Sequence, residues 1–212
     1  DAAARPARAA LGRAGRARRA FTCPCGAGGG VVGRADDRSV NAFEGQTGRK
    51  LWTQQRPNEP LVLRQSGVIL AVGDTLVVGL SGRLAGLNPS NGSVRWEVPV
   101  ASPRGINDVE RLVDLVGPVS RVADSVCVRA FQASGGGVNA AGGRLLWTKP
   151  ANGMQGIGGD DRLMFGTEDD GTVLAWRRAD GERGWHAGRL GHRGVTAPRR
   201  AGSSVAAGGA TG

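Results

Sequence analysis

Short apolar runs separated by glycine-containing turns dominate the hydrophobic pattern of this chain. The runs "VILAV" and "TLVVGL", for example, are divided by Gly73 and Asp74. A helical protein would show apolar residues at a 3.6-residue period and few glycines, whereas 37 of the 212 residues here are glycine. The pattern therefore predicts many short strands joined by tight turns, and the fold class that it predicts is all-β.

A hairpin pattern occurs four times along the chain. Each copy ends in a tryptophan that has a glycine four residues before it: "FEGQTGRKLW", "LNPSNGSVRW", "VNAAGGRLLW" and "WRRADGERGW". The glycine stands where a hairpin turn needs a positive φ angle, so the tryptophan falls on the outgoing strand. We predict a structural role for the eight residues of this repeat, which are Gly48, Trp52, Gly92, Trp96, Gly143, Trp147, Gly181 and Trp185.

The spacing of the repeat predicts a β-propeller. Successive tryptophans of the repeat are about 38 to 51 residues apart, and the apolar runs upstream of the hairpins bring each repeat to about four strands. Four-stranded repeats of this length are typical of propeller blades, in which the tryptophan would be wedged between neighbours. A β-sandwich would accommodate the strands without explaining the repeat. We expect residues 31–212 to form about four blades and part of a fifth, belonging to a larger ring.

The first 30 residues have a different composition. They contain six arginines and one acidic residue among many alanines and glycines, and so carry half of the formal net charge of +10. We expect this low-complexity segment to be disordered and to lie outside the propeller. The remaining charge is spread along the chain without a zinc-finger spacing, an RNA-recognition motif or a basic helix, and therefore predicts no nucleic-acid partner.

The sequence contains no pattern typical of a catalytic or metal site. His186 and His192 have no ligand spacing and no acid–base partner nearby, and Cys23, Cys25 and Cys127 lack zinc and redox spacings. We predict no catalytic residue, no metal and no cofactor. Three acidic pairs stand at predicted turns without the alternating ligands of a calcium loop, and we interpret them as polar turn residues: Asp36 with Asp37, Asp160 with Asp161, and Asp169 with Asp170.

The first copy of the repeat resembles a known motif. Ala42-x-Glu44-x-x-Thr47-Gly48-x-x-x-Trp52 is similar to the tryptophan-docking repeat of quinoprotein-like propellers, with glutamate in place of aspartate. Two families share this repeat: the quinone-dependent dehydrogenases and the outer-membrane assembly factor BamB family. Segments between the repeats, such as "FGTEDDGTVLAWRRADGERGW", resemble the middle blades of the BamB family. The resemblance covers residues 31 to about 198 and implies an eight-bladed ring.

The resemblance to the BamB family implies a noncatalytic scaffold of the outer-membrane β-barrel assembly machinery. The expected partners are the periplasmic domains of the barrel insertase BamA and unfolded outer-membrane protein clients. The expected location is the periplasmic face of the outer membrane of a Gram-negative bacterium, with membrane association through a lipid anchor that is not present in this chain.

The same resemblance implies two partner-binding segments. One matches a Leu-x-Leu-Arg string and the other an acidic segment, in which Val116 replaces the family's second acid. Taken by themselves, Leu61 and Leu63 beside Arg64 form an apolar anchor next to a guanidinium, or else they begin an inner strand and belong to the core. Asp114 alone would be a solvent-exposed loop acid. The partner-binding residues expected from the resemblance are Leu61, Leu63, Arg64, Glu110, Arg111 and Asp114.

Two alternatives remain at the level of sequence. A fragment of a pyrroloquinoline-quinone dehydrogenase would share the repeat, but those enzymes stack the quinone against a disulfide between adjacent cysteines, and the sequence contains no adjacent cysteine pair. The other alternative is a propeller adaptor with a different partner.

Overall fold

The computed structural model describes residues 21–27, 30–35, 39–55, 67–102, 113–188 and 195–209. Its strands form four antiparallel four-stranded sheets and one two-stranded sheet. The prediction of an all-β propeller with four-stranded blades is confirmed. No helix in these ranges has the length and apolar character needed to cross a bilayer.

Each four-stranded sheet is one blade, and its strands are neighbours in chain order. Blade A consists of β1 (Phe21–Ala27), β2 (Gly30–Ala35), β3 (Val40–Glu44) and β4 (Lys50–Gln54). Blade B consists of β5 (Ile69–Val72), β6 (Thr75–Leu80), β7 (Arg83–Leu87) and β8 (Val94–Pro99). Blade C consists of β9 (Leu115–Val122), β10 (Ser125–Ala130), β11 (Ser134–Asn139) and β12 (Arg144–Pro150). Blade D consists of β13 (Gly158–Gly159), β14 (Leu163–Thr167), β15 (Val173–Arg177) and β16 (Arg183–Ala187).

The first strands of the blades lie together on the inner side of the molecule. β1 contacts β5, β9 contacts β13, and β13 contacts β17. The fourth strands form the outer rim, and every residue of β16 is exposed. Two further strands, β17 (Arg199–Ala201) and β18 (Ser204–Ala206), pair with each other as the expected beginning of a fifth blade.

The structure corrects the predicted start of the propeller at residue 31. Strand β1 already begins at Phe21, and it pairs antiparallel with β2 from Phe21 opposite Ala35 to Ala27 opposite Gly30. The segment "FTCPCGA" has apolar residues at alternate positions, but Pro24 and Gly26 lie between them, and strands disfavour both residue types. Its position comes from backbone hydrogen bonding to β2, which does not depend on the side chains. Residues 1–20 lie outside the described residues.

The hydrophobic core is divided among the interfaces between blades. Buried side chains of blades A and B form one cluster, which includes Val40 and Leu76. A second cluster joins blades B and C, and a third, which includes Trp147 and Met164, joins blades C and D. Burial of apolar surface therefore holds each blade against the next and fixes the relative positions of their loops.

Candidate functional site

Three of the four hairpin tryptophans pack against the glycine of the next blade. The ring of Trp52 lies over Gly92, and its Nε1 donates a hydrogen bond to the Pro89 carbonyl at 2.9 Å. Gly92 has a φ of 74°, and a Cβ added there would lie 2.5 Å from Trp52 Cε3. Glycine is required at this position by its backbone conformation and by the indole that covers it.

The next two interfaces repeat this packing with one difference. Trp147 lies over Gly181 and donates from Nε1 to the Arg178 carbonyl at 2.8 Å. Trp96 lies over Gly143, but its buried Nε1 has no hydrogen-bond partner among the described residues. Trp185, on the last complete blade, remains 40% exposed. The indole hydrogen bond therefore reinforces the interfaces between blades A and B and between blades C and D.

The two ends of the blades carry different loops. We call the end with the turns between second and third strands, together with the connections between blades, the loop face. The opposite end carries the hairpin turns and is called the hairpin face. The expected partner-binding segments 61–64 and 110–114 fall between β4 and β5 and between β8 and β9. Residues 56–66 and 103–112 lie outside the described residues, so that of the six expected partner-binding residues the structure describes Asp114.

Asp114 is buried at the start of β9 and is not the solvent-exposed acid that its loop position would give by default. Its side chain accepts the Leu115 N–H at 3.0 Å, and its carbonyl accepts the Phe131 N–H at 2.9 Å. The residue is 2% exposed. Val116 is also buried and bridges to Gly67 on the first-strand side of blade B. Both residues therefore belong to the base of the loop, where they pack against blades B and C.

A cavity of about 660 Å³ opens between blades B and C on the loop face. Its walls come from the end of β8, from the turn between β10 and β11, and from the end of β12 with the residues that follow it. The lining includes Phe131, Gln132, Lys149 and Asn152. Lys149 Nζ pairs with Glu182 Oε1 at 2.6 Å. The cavity thus offers apolar side chains and neutral hydrogen-bonding groups.

A buried arginine joins blades C and D below the loop face. Arg129, on β10, is fully buried, and its Nη2 lies 2.6 Å from Glu168 Oε1 on the turn between β14 and β15. It also donates to the Thr167 carbonyl and lies over the Trp176 ring, 5.4 Å from the ring centroid. Burial lowers the pKa of Arg129, and the charge of Glu168 opposes this shift. A single arginine within the apolar run "SVCVRAF" is the sequence signal for this contact, and it was not among the predicted site residues.

A second arginine crosses the same interface toward the hairpin face. Arg178 donates from Nε to the Asp160 carbonyl at 2.6 Å and from Nη2 to the Ser120 hydroxyl. Its Nη1 lies 3.4 Å from the Sγ of Cys127, a buried free thiol whose pKa is raised by burial. Cys127 therefore packs as part of the interface.

Two members of the predicted acidic turn pairs, Asp160 and Asp170, accept backbone N–H groups. Asp160 Oδ1 accepts the N–H groups of Arg162 and Leu163, and Asp170 Oδ1 accepts that of Thr172 at 2.8 Å. Among the described residues, no group of three or more histidine, cysteine or acidic side chains is arranged to hold a metal ion. His186 is exposed on β16, whereas His192 and the Asp36–Asp37 pair lie outside the described residues.

Comparison with known proteins identifies related chains and related folds. A family model described as outer membrane protein assembly factor BamB matches residues 8–187. The outer membrane protein assembly factor BamB of Bordetella pertussis is 34% identical over 182 residues, which are 85% of this chain and 47% of that protein. The chain spans about half the length of the curated relatives that it matches.

Two solved structures are similar to the propeller described above. The crystal structure of BamB from Moraxella catarrhalis has a TM-score of 0.80 at 21% identity, and the match covers 88% of this chain and 57% of that one. The quinohemoprotein alcohol dehydrogenase of Comamonas testosteroni has a TM-score of 0.61 at 14% identity, over 82% of this chain and 35% of the enzyme. Both share the fold. By the sequence match over residues 8–187, the chain belongs to the family of the outer membrane protein assembly factor BamB.

Proposed function

We propose that this protein is a noncatalytic scaffold of the outer-membrane β-barrel assembly machinery and that it binds the periplasmic domains of BamA. The observation that carries this proposal is the match to relatives named outer membrane protein assembly factor BamB across 85% of the chain. The protein acts at the periplasmic face of the outer membrane of a Gram-negative bacterium, where it aids the insertion of outer-membrane proteins.

The arrangement of the blades supports a scaffolding role. Tryptophans on glycines and shared hydrophobic clusters fix neighbouring blades, so the connections between blades start from fixed positions on one face. A rigid set of loops loses little conformational entropy when a partner binds. In this proposal Leu61, Leu63 and Arg64 contact BamA, together with Glu110 and Arg111. The buried Asp114 fixes the base of the second loop.

The dehydrogenase alternative has weaker support. The alcohol dehydrogenase of Comamonas testosteroni is 14% identical to this chain, a level at which the likeness concerns the fold. Asp160 and Asp170 each use one carboxylate oxygen to accept backbone N–H groups of their own turns, and among the described residues no three acidic, histidine or cysteine side chains are grouped to hold a metal ion. The described loop-face cavity holds a lysine already paired with glutamate.

A pull-down with the BamA periplasmic domains tests the proposal. The 212-residue chain is compared with a variant in which Leu61, Leu63 and Arg64 are replaced by alanine, after circular dichroism has shown that both are folded. We expect the chain to retain BamA and the variant to lose it, because the changes remove the apolar anchors and their guanidinium.

The chain offers a matched control at its outer rim. Arg144, Leu145 and Leu146 are an exposed arginine and two exposed leucines on β12, away from the loop face. Their replacement by alanine should leave BamA binding unchanged. Failure of the unaltered chain to bind BamA contradicts the proposal, and an assay for quinone and calcium binding would then test the dehydrogenase alternative. An equal loss of BamA binding in the two triple-alanine variants would show that residues 61–64 are not a specific BamA-binding site.

A further inference from the structure

The connection between blades C and D exposes an unusual apolar side chain. Met154 lies in this connection, residues 151–157, and is 41% exposed. The other exposed large apolar side chains of the described ranges all lie on fourth strands at the rim: Leu51, Val94, Leu145, Leu146 and Trp185. Within the described residues, Met154 is therefore the large exposed apolar side chain of the loop face.

The backbone around Met154 is held by contacts from three elements. Glu168 Oε2 accepts the Asn152 N–H at 2.5 Å, the Gly153 carbonyl accepts the Gln132 N–H at 3.2 Å, and the Ile157 N–H donates to the Pro118 carbonyl at 2.8 Å. These contacts come from the turns and first strand of blades C and D. The exposure of Met154 is therefore a property of a fixed loop.

Arg129 positions this connection from below. Its guanidinium lies so close to Gly153 that a Cβ added there would be 1.7 Å from Nη1. Through Glu168 the same guanidinium joins β10, the turn between β14 and β15, and the connection. A fully buried arginine is costly to desolvate and seldom stabilises a fold more than apolar residues of the same size would. The presence of Arg129 at this buried position is explained if it positions residues 151–157 for binding.

The surface beside Met154 is acidic. Glu168, Asp169 and Asp170 form the turn that contacts the connection, and Asp169 and Asp170 are exposed at its tip. The Asp169 side chain accepts a hydrogen bond from Gln132 Nε2 at 2.9 Å. This turn is a local exception in a chain whose formal net charge is +10. The cavity lined by Phe131 and Asn152 continues this surface toward blade B.

We propose that the partner-binding surface extends onto residues 151–157 and that it binds a segment in which an apolar side chain is flanked by arginine or lysine. Met154 provides the apolar anchor, and Asp169 and Asp170 attract the flanking cations. Arg129 is a positioning residue that holds the loop in its binding conformation. This inference rests on the proposed function, since the cationic and apolar segment belongs to the same periplasmic partner.

Equilibrium binding of the BamA periplasmic domains to the 212-residue chain tests the inference, with Leu51→Ala as an exposed apolar control at the rim. We expect Met154→Ala to raise Kd about tenfold, which is the size of a typical anchor effect. The double variant Asp169→Asn, Asp170→Asn should raise Kd about threefold and reduce the salt dependence of association. Leu51→Ala should change neither quantity.

Two further variants test the positioning role. Arg129→Met removes the cation that holds Glu168, and the double variant Arg129→Met, Glu168→Gln also removes the carboxylate charge that is left behind. If Arg129 positions the loop, both variants should raise the Kd for the partner. This should hold even if the double variant regains its resistance to urea, because the contact between the Asn152 N–H and the side chain at position 168 stays altered. If Arg129 serves stability alone, binding recovers together with stability.

The outcomes separate the inference from the proposed function. If the chain binds BamA and the alanine variant at residues 61–64 does not, while Met154→Ala binds normally, the inference is overturned and the proposed function stands. If the unaltered chain does not bind BamA, both are overturned. Parallel loss in Met154→Ala and in the Asp169 and Asp170 variant, with Leu51→Ala unaffected, supports both.

Discussion

Replacing Gly181 by alanine tests whether the packing of tryptophan on glycine holds the blades together. Gly181 has a φ of 70°, and an added Cβ would lie 2.4 Å from Trp147 Cε3. Gly73 provides a matched control, because it has a φ of 56° in the turn between β5 and β6 and an added Cβ there would have nothing within 4 Å. The two substitutions share the backbone cost and differ in the contact with the indole.

The size of each effect follows from these geometries. Alanine in the left-handed region costs about 1–2 kcal/mol, which is the whole effect expected for Gly73→Ala. At Gly181 the methyl group must also displace the Trp147 ring, and overpacking of this kind adds about 1–3 kcal/mol. Displacement of the ring further weakens the hydrogen bond from Trp147 Nε1 to the Arg178 carbonyl, worth about 1 kcal/mol. We therefore expect a total loss of about 3–6 kcal/mol for Gly181→Ala.

Urea denaturation followed by far-ultraviolet circular dichroism measures both variants. The expected result is a much lower midpoint for Gly181→Ala than for Gly73→Ala, with similar dependence of the unfolding free energy on urea. The tryptophan fluorescence of the folded Gly181→Ala variant should also shift to longer wavelength, because the displaced Trp147 indole becomes more exposed to solvent. Equal destabilisation by the two substitutions would refute the view that the indole requires glycine at this position.

Other contacts between blades lead to further predictions. Trp147→Phe should cost about 1–3 kcal/mol more than Trp96→Phe in urea denaturation, because Trp147 Nε1 has a partner in the Arg178 carbonyl and Trp96 Nε1 has none among the described residues; equal costs would contradict this. Arg129→Met should cost about 3 kcal/mol by the same assay, and Glu168→Gln in the same chain should recover part of the loss; a strictly additive loss would argue against the ion pair. Burial by itself would raise the pKa of Asp160, but hydrogen bonds from the Leu163 and Arg162 N–H groups, together with nearby arginine charges, outweigh burial and lower this pKa. This carboxylate therefore stabilises the fold above its usual pKa near 4, and the contribution is lost as the pH falls through the lowered value. The stability of Asp160→Asn, measured between about pH 2 and pH 5, should depend less on pH than that of the unaltered chain.

The blades were predictable because their determinants are local. A glycine four residues before a tryptophan specifies both the hairpin turn and the residue that will cover the next blade, and apolar runs mark the strands between. Strand β1 was not predictable in this way, because Pro24 and Gly26 interrupt its short apolar alternation and its conformation comes from pairing with β2. The local sequence pattern predicts a strand when the strand's own side chains determine its conformation. It fails when the conformation comes from hydrogen bonding to a neighbouring strand.

The candidate site was less accessible to sequence reasoning. Asp114 follows a loop in the sequence, and its burial depends on how blades B and C pack around the start of β9. The contact of Arg129 with Glu168 joins residues 39 positions apart, and the exposure of Met154 follows from that contact and its neighbours. Such features depend on the relative placement of two blades, which the repeat alone does not specify in atomic detail.

Hydrogen–deuterium exchange of the chain with and without the BamA periplasmic domains shows which face of the propeller BamA covers. We expect slower exchange on binding in residues 56–66, 103–114 and 151–157, which belong to the connections between blades. We expect unchanged exchange in the hairpin turns 45–49, 88–93 and 178–182. Protection of the hairpin turns, or no protection anywhere in the chain at saturating partner, would contradict the assignment of the loop face as the site that binds BamA.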